Sequence, residues 1–153
     1  MESTIQIRPM RLEDVAEVAR FYHDIRMDTV PLIHSENEVA EWISATLLPR
    51  NSSFVGELIG AVIGWVDVTP MTLDHLYLRR GLTGQGFGRL LLDFAKQRSP
   101  EGLELYTFQV NSGAFRFYER EGFVETKRGD GSGNEEGEPD IKLVWKQPRP
   151  PTE

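Results

Sequence analysis

The sequence contains no cysteine. That absence excludes a disulfide framework, a thiolate zinc centre and a cysteine nucleophile. It also suits a reducing compartment, so a cytoplasmic protein is expected. Long apolar runs are missing as well. The longest is broken by Gly60, Gly64 and Asp67, far short of the roughly 20 apolar residues that a membrane-spanning helix needs. Met1-Glu2-Ser3-Thr4 offers neither a basic nor an apolar leader region, so no secretory signal and no membrane partner are expected. Positive charge is in deficit. Lys and Arg number 17 against 24 Asp and Glu, for a net charge of −7. A nucleic-acid partner, which demands a basic face, is therefore not expected. The balance suits a cationic substrate, although acidic surfaces also serve solubility alone.

What is present describes an ordinary folded domain: 153 residues, 39% hydrophobic and 27% charged, enough for one core. A single domain over 1–147 with a C-terminal tail over 148–153 is expected. Thr4 to Arg8 alternates as a strand and stops at Pro9. Leu12, Val15, Val18, Ala19, Tyr22 and Ile25 follow with helical period, and Glu13 and Asp14 suit the helix start. Ser35 and Glu38 form a capping-box pattern before a second helix that runs through Trp42 to about Leu48 and ends at Pro49. Two strands flank the turn at Leu58-Ile59-Gly60, with a bulge expected at Gly64. A further strand covers 72–78. A helix over about 86–98, a strand over 103–110, a short helix over 114–121 and two last strands at 123–127 and 141–145 complete the order. The fold class is thus α/β (α+β): a mixed central sheet of about seven strands with about four helices, its three consecutive strands antiparallel.

Between the fourth strand and the third helix lies Arg80-Gly81-Leu82-Thr83-Gly84-Gln85-Gly86-Phe87-Gly88-Arg89. Glycines let a backbone approach a ligand closely, and a helix N-terminus presents free N–H groups. A pyrophosphate suits such a loop, and Arg89 adds charge; a flexible turn is the bland alternative. The dinucleotide fingerprint does not fit, because its G-x-G-x-x-G spacing is absent. Neither does the Walker pattern, because Phe87 and Gly88 follow Gly86 where Lys and Ser or Thr would stand.

Thr83-Gly84-Gln85-Gly86-Phe87-Gly88 resembles the Gln/Arg-x-x-Gly-x-Gly/Ala loop of the GNAT superfamily. Thr83 departs from the usual Gln or Arg, so the loop is expected to act through backbone N–H groups. A second motif supports the resemblance. In Asn111-Ser112-Gly113-Ala114-Phe115-Arg116-Phe117-Tyr118-Glu119-Arg120-Glu121-Gly122-Phe123, six positions (Asn111, Ala114, Phe117, Tyr118, Gly122 and Phe123) match the family's N-x-x-A-x-x-F-Y-x-x-x-G-F. The resemblance spans Ile5 to Trp145 in element order.

The resemblance implies an N-acetyltransferase that moves the acetyl group of acetyl-CoA to an amino group in a ternary complex, without a metal. It implies a cofactor site at Leu76, Tyr77, Leu78, Gly84, Gln85, Gly86, Phe87, Gly88, Arg89, Asn111 and Tyr118. The backbone of Leu76, Tyr77 and Leu78 would hold the pantetheine arm, and an N–H near Leu76 would polarise the thioester. Asn111 has two readings, helix cap or pantetheine partner. Tyr118 is either an aromatic packed on its helix or the acid that protonates the leaving thiolate, a transfer from a phenol of pKa ~10 to a thiol of pKa ~8.5. Asp74 is a strand-end carboxylate or the base, with a water relay as the alternative; alternation puts His75 on the opposite face. His34 is either a surface group or part of the acceptor site.

The stretch from Asp130 to Asp140 holds five carboxylates. It fails the calcium-loop pattern, having Glu135 at the sixth position and Ile141 at the twelfth. It is either a solvated hairpin or, through Glu135 and Glu136, one wall of a site for a cationic acceptor. The acceptor is expected to be a small amine, with protein lysines or N-termini as an alternative and a CoA-binding sensor as a second one. The family also allows a homodimer.

Overall fold

The computed structural model describes residues 5–148. Thr4 and all of the expected tail except Pro148 lie outside that range. The elements are β1 (Gln6–Pro9), α1 (Val15–Met27), α2 (Glu36–Trp42), β2 (Ser53–Leu58), β3 (Ala61–Val68), β4 (Leu73–Leu78), α3 (Phe87–Gln97), β5 (Gly102–Phe108), α4 (Ser112–Arg120), β6 (Val124–Arg128) and β7 (Asp140–Lys146). This is the mixed α/β fold expected, with seven strands and four α-helices among the described residues.

The strands fall into two sheets rather than one continuous sheet. β1, β2, β3 and β4 form an antiparallel meander, and β5, β7 and β6 a second antiparallel sheet. The sheets join where β4 and β5 start. Thr72 forms a parallel bridge with Glu104, and the Glu104 N–H donates to the Met71 carbonyl at 2.9 Å. No further ladder links β4 to β5 among the described residues, so the strands part toward their C-terminal ends.

Two apolar cores follow from strand alternation. Ile63, Val66, Leu91, Leu92, Phe123 and Leu143 pack beneath α3 and α4 on one face. Val18, Phe21, Tyr22, Ile43, Leu47, Val55 and Trp65 pack beneath α1 and α2 on the other. Each large apolar side chain fully buried here contributes about 1.5–3 kcal/mol. The expected bulge beside Gly64 is present: the register steps from Gly56↔Gly64 to Glu57↔Val62, leaving Ile63 as the extra residue. Gly64 itself makes room for α3, since a Cβ there would lie 2.8 Å from Leu91 Cδ1.

The capping box of α2 forms as read. The Glu38 N–H donates to Ser35 Oγ at 3.2 Å, and the Ser35 N–H to Glu38 Oε1 at 3.0 Å. The helical path then widens into a π-turn at Ile43–Leu47 and tightens at Leu48–Arg50, ending at left-handed Asn51 (φ 56°). Pro49 thus sits inside the last turn and the chain leaves two residues later.

Candidate active site

The parting of β4 from β5 leaves one edge of β4 open. The Arg79 N–H donates to the Ile63 carbonyl at 2.7 Å, and hydrogen-bonded pairs alternate along an antiparallel ladder. The backbone groups of Leu76 and Leu78 therefore face the open edge, while those of Tyr77 face Trp65 across the ladder. Of the three residues read as a cradle, Leu76 and Leu78 offer free backbone donors and acceptors, and Tyr77 offers its side chain.

The glycine loop leads from this edge into α3. Gly84 and Gly86 hold φ of 80° and 87°, a region that side chains other than glycine's rarely occupy. Gly86 is the N-cap of α3 and carries no side chain to satisfy the first N–H groups. Those of Phe87, Gly88 and Arg89 thus stand at the positive end of the helix dipole. A Cβ on Gly88 would make only ordinary contact with the Phe117 ring at 3.5 Å, so the loop's glycine requirement lies in the backbone of Gly84 and Gly86. Gln85 is exposed, and Phe87 is buried in the core beneath the helix. Arg89 lies 3.5 Å from Glu121 and 3.9 Å from Asp93. The loop thus offers backbone donors in a form suited to a pyrophosphate.

Asn111 takes the first of its readings, the helix cap. Its side chain accepts from the Ala114 N–H at 3.2 Å and caps α4, and the residue also lines a cleft beside the open edge. Tyr118 is buried among Phe117, Phe123 and the α3 core. Desolvation holds its phenol well above the ordinary range, and neighbouring Tyr77 adds to the effect.

Strand alternation misplaces His75. The β3–β4 register steps from Asp67↔His75 to Val68↔Leu73, so Asp74 is the extra residue of a bulge. Asp74 and His75 consequently both face α1 and α2. Asp74 lies 3.6 Å from Arg50, which also binds buried Asp67 at 3.0 Å. Burial and the Asp67 charge raise the Asp74 carboxyl above its usual value. His75 stacks on Trp65 at 4.4 Å and meets Tyr22 and Trp42 edge-on. Burial pushes its imidazole down to about 4, so it is neutral at neutral pH.

Two clefts open on the α1 and α2 side. The first, about 780 Å³, lies at the open edge between the end of α1, Tyr77, Phe108, Asn111 and the 129–134 segment. The second, about 710 Å³, is lined by Tyr22, Leu32, His34, Glu38, Glu41, Trp42, His75, Glu135 and Glu136. Arg26 lines both. Its guanidinium is buried, donating to Tyr22 Oη at 2.9 Å, the Val30 carbonyl at 3.1 Å and Glu136 at 2.6 Å, and it lies over the Phe108 ring.

The acidic segment is not a loose hairpin. Gly129 and Asp140 pair through their backbones, Gln109 donates to both carbonyls, and Asn134 bridges to Glu138. His34 and Glu135 meet at 3.3 Å, a contact the sequence did not announce, with Glu38 3.6 Å from the same ring. Glu136, read as an acceptor-binding carboxylate, instead neutralises Arg26. Its side chain is 10% exposed, so it holds the wall and leaves Glu135 to face the opening. Arg26, Trp42 and Tyr22 were not read as site residues. The available signal was the four-residue spacing of Tyr22 and Arg26, which puts a phenol and a guanidinium on one helical stripe.

Comparison with known proteins identifies the family and the fold. Residues 18–123 match the acetyltransferase (GNAT) family. No curated protein sequence matches the chain. Among solved structures, apo YjaB from Escherichia coli is similar with a TM-score of 0.75 and 23% identity, over 92% of this chain and 97% of that one. The putative acetyltransferase YncA of Salmonella typhimurium, solved with acetyl-CoA, is similar at 0.73 and 18%, over 94% of each chain. The PaiA N-acetyltransferase of Thermoplasma acidophilum, in complex with coenzyme A, is similar at 0.68 and 23%, over 94% and 99%. With the family match covering most of the chain and the whole fold shared, the protein belongs to the GNAT acetyltransferase family.

Proposed function

We propose that the protein transfers the acetyl group of acetyl-CoA to a small amine by direct attack in a ternary complex. The observation that carries this reading is the open β4 edge running into the glycine loop. Leu76 and Leu78 present backbone groups to an amide-bearing arm, and the N-terminus of α3 presents N–H groups to a pyrophosphate. Acetyl-CoA-bound and CoA-bound relatives of the same fold support the choice of ligand.

In this reading the thioester carbonyl takes a hydrogen bond from the Leu76 N–H, which stabilises negative charge on oxygen as the amine adds. The C–N bond forms, the C–S bond breaks, and the thiolate departs with a proton from Tyr118. Burial raises the phenol, but it raises a thiol in the same dry surroundings too, so the transfer remains balanced. The amine loses its proton toward the α1 and α2 side, where Asp74 and water are the available acceptors. The acceptor enters through the two clefts, the second of which is bounded by His34 and Glu135. Residues 1–147 act as a single unit, and the reaction belongs to the cytoplasm.

The test is acetyl-CoA binding by thermal shift, followed by thiol release with an amine panel. Stabilisation together with amine-dependent release is expected. Stabilisation without release on any amine would favour a CoA-binding sensor, and no stabilisation would contradict the reading.

A further inference from the structure

We propose that the acceptor carries a second cationic group, seated in the second cleft, so that the substrate class is a diamine and not a simple monoamine. The inference rests on the amine acetyltransferase reading above and specifies its substrate.

The cleft, about 710 Å³, has room for an alkylammonium arm. Its inner wall is aromatic. Tyr22 and Trp42 stand edge-on to His75, with centroids at 5.6 and 5.5 Å, and Trp65 backs the imidazole. Trp42 is 38% exposed, an aromatic left open at the cleft. Aromatic rings attract an ammonium ion placed against their faces. His75 does not oppose it, because its half-buried ring, held between Trp65 and Tyr22, stays uncharged at neutral pH.

Charge at the rim points the same way. Arg26 is matched by Glu136 at 2.6 Å. Glu38, Glu41 and Glu135 then remain in the lining with His34 as their one nearby cation among the described residues. A ligand cation entering here meets a surplus of carboxylate. The first cleft holds a smaller surplus: Arg26, Arg128 and Lys142 are paired, and Asp130 and Asp140 stand against Lys127. A protonated arm is therefore drawn to the second cleft, and the other amine is left beside Tyr77 and Asn111 at the open edge. Arg26 lines both clefts, so the two seats adjoin and one short molecule spans them.

The experiment measures thiol release from acetyl-CoA with butylamine, diaminobutane and a short unblocked peptide. KM for diaminobutane is expected to be about tenfold below that for butylamine. Trp42→Ala and Glu135→Gln should each raise the diaminobutane KM several-fold more than the butylamine KM, with Trp42→Phe restoring most of the loss. Glu135 is exposed, so its substitution does not threaten folding. Equal KM values for the two amines, equal effects of the variants on both, or preferred turnover of the peptide would overturn the diamine while leaving acetyl transfer intact. Release with none of the three would overturn both readings together.

Discussion

The two clefts share Arg26 and differ in how their charges are matched. In the first, Arg26, Arg128 and Lys142 each have a carboxylate partner, which leaves Asp130 and Asp140 against Lys127 beside Tyr77 and Asn111. In the second, carboxylates exceed cations and the wall is aromatic. The larger surplus of the second, Glu38, Glu41 and Glu135 against His34 beside Trp42, makes it the stronger seat for a cation. The division of labour between chemistry and recognition therefore falls along the Arg26–Glu136 contact.

Breaking that contact should have the largest effect. Arg26→Ala leaves Glu136 buried without a partner, and losing one half of a buried pair costs about 3–5 kcal/mol. Denaturant unfolding measures it, and a loss under 1 kcal/mol would show that the contact does not hold the wall. Next comes Tyr118→Phe, which removes the proposed acid but keeps the ring. A drop in kcat of about 100-fold with unchanged acetyl-CoA affinity is expected, and unchanged kcat would remove Tyr118 from the chemistry.

Gly86→Val should act on the coenzyme side alone. A branched side chain at φ 87° costs about 1–2 kcal/mol, read by calorimetry as roughly tenfold weaker acetyl-CoA binding; wild-type affinity would mean that the loop geometry is not used. The smallest effect concerns His34. Its contact with Glu135, and then with Glu38, raises its pKa. The imidazolium is present below the ordinary ~6.5, and its ion pairs are lost as pH rises through the raised value. Glu135 and Glu38 are then freed for the acceptor, with Glu41 on the same rim, Arg26 matched by Glu136, and His75 uncharged throughout. KM for a diamine should fall a few-fold over that rise, and His34→Gln should flatten the profile. Identical profiles would show that His34 does not compete with the substrate.

The coenzyme side was legible in the sequence because its signals are local. Gly84 and Gly86 mark a backbone conformation, and Asn111 to Phe123 is one continuous motif. The acceptor side was legible only in fragments. His34 and Glu135 were read as neighbours of the site, but the partner of Glu136 is Arg26, 110 residues away, and no local pattern encodes that pairing. His75 was misplaced because strict alternation assumes a regular strand, and a single extra residue at Asp74 turns two adjacent side chains to one face. The splitting of the sheet was equally hidden. It depends on which strand lies beside β4, a question of topology that no segment answers alone.

The most direct test of the central claim is a single reaction of the protein with acetyl-CoA and diaminobutane, followed by mass spectrometry and a thiol assay. The account predicts N-acetylated diamine and free CoA thiol in equal amounts, both dependent on protein. Thiol without acetylated amine, or neither product, would contradict it.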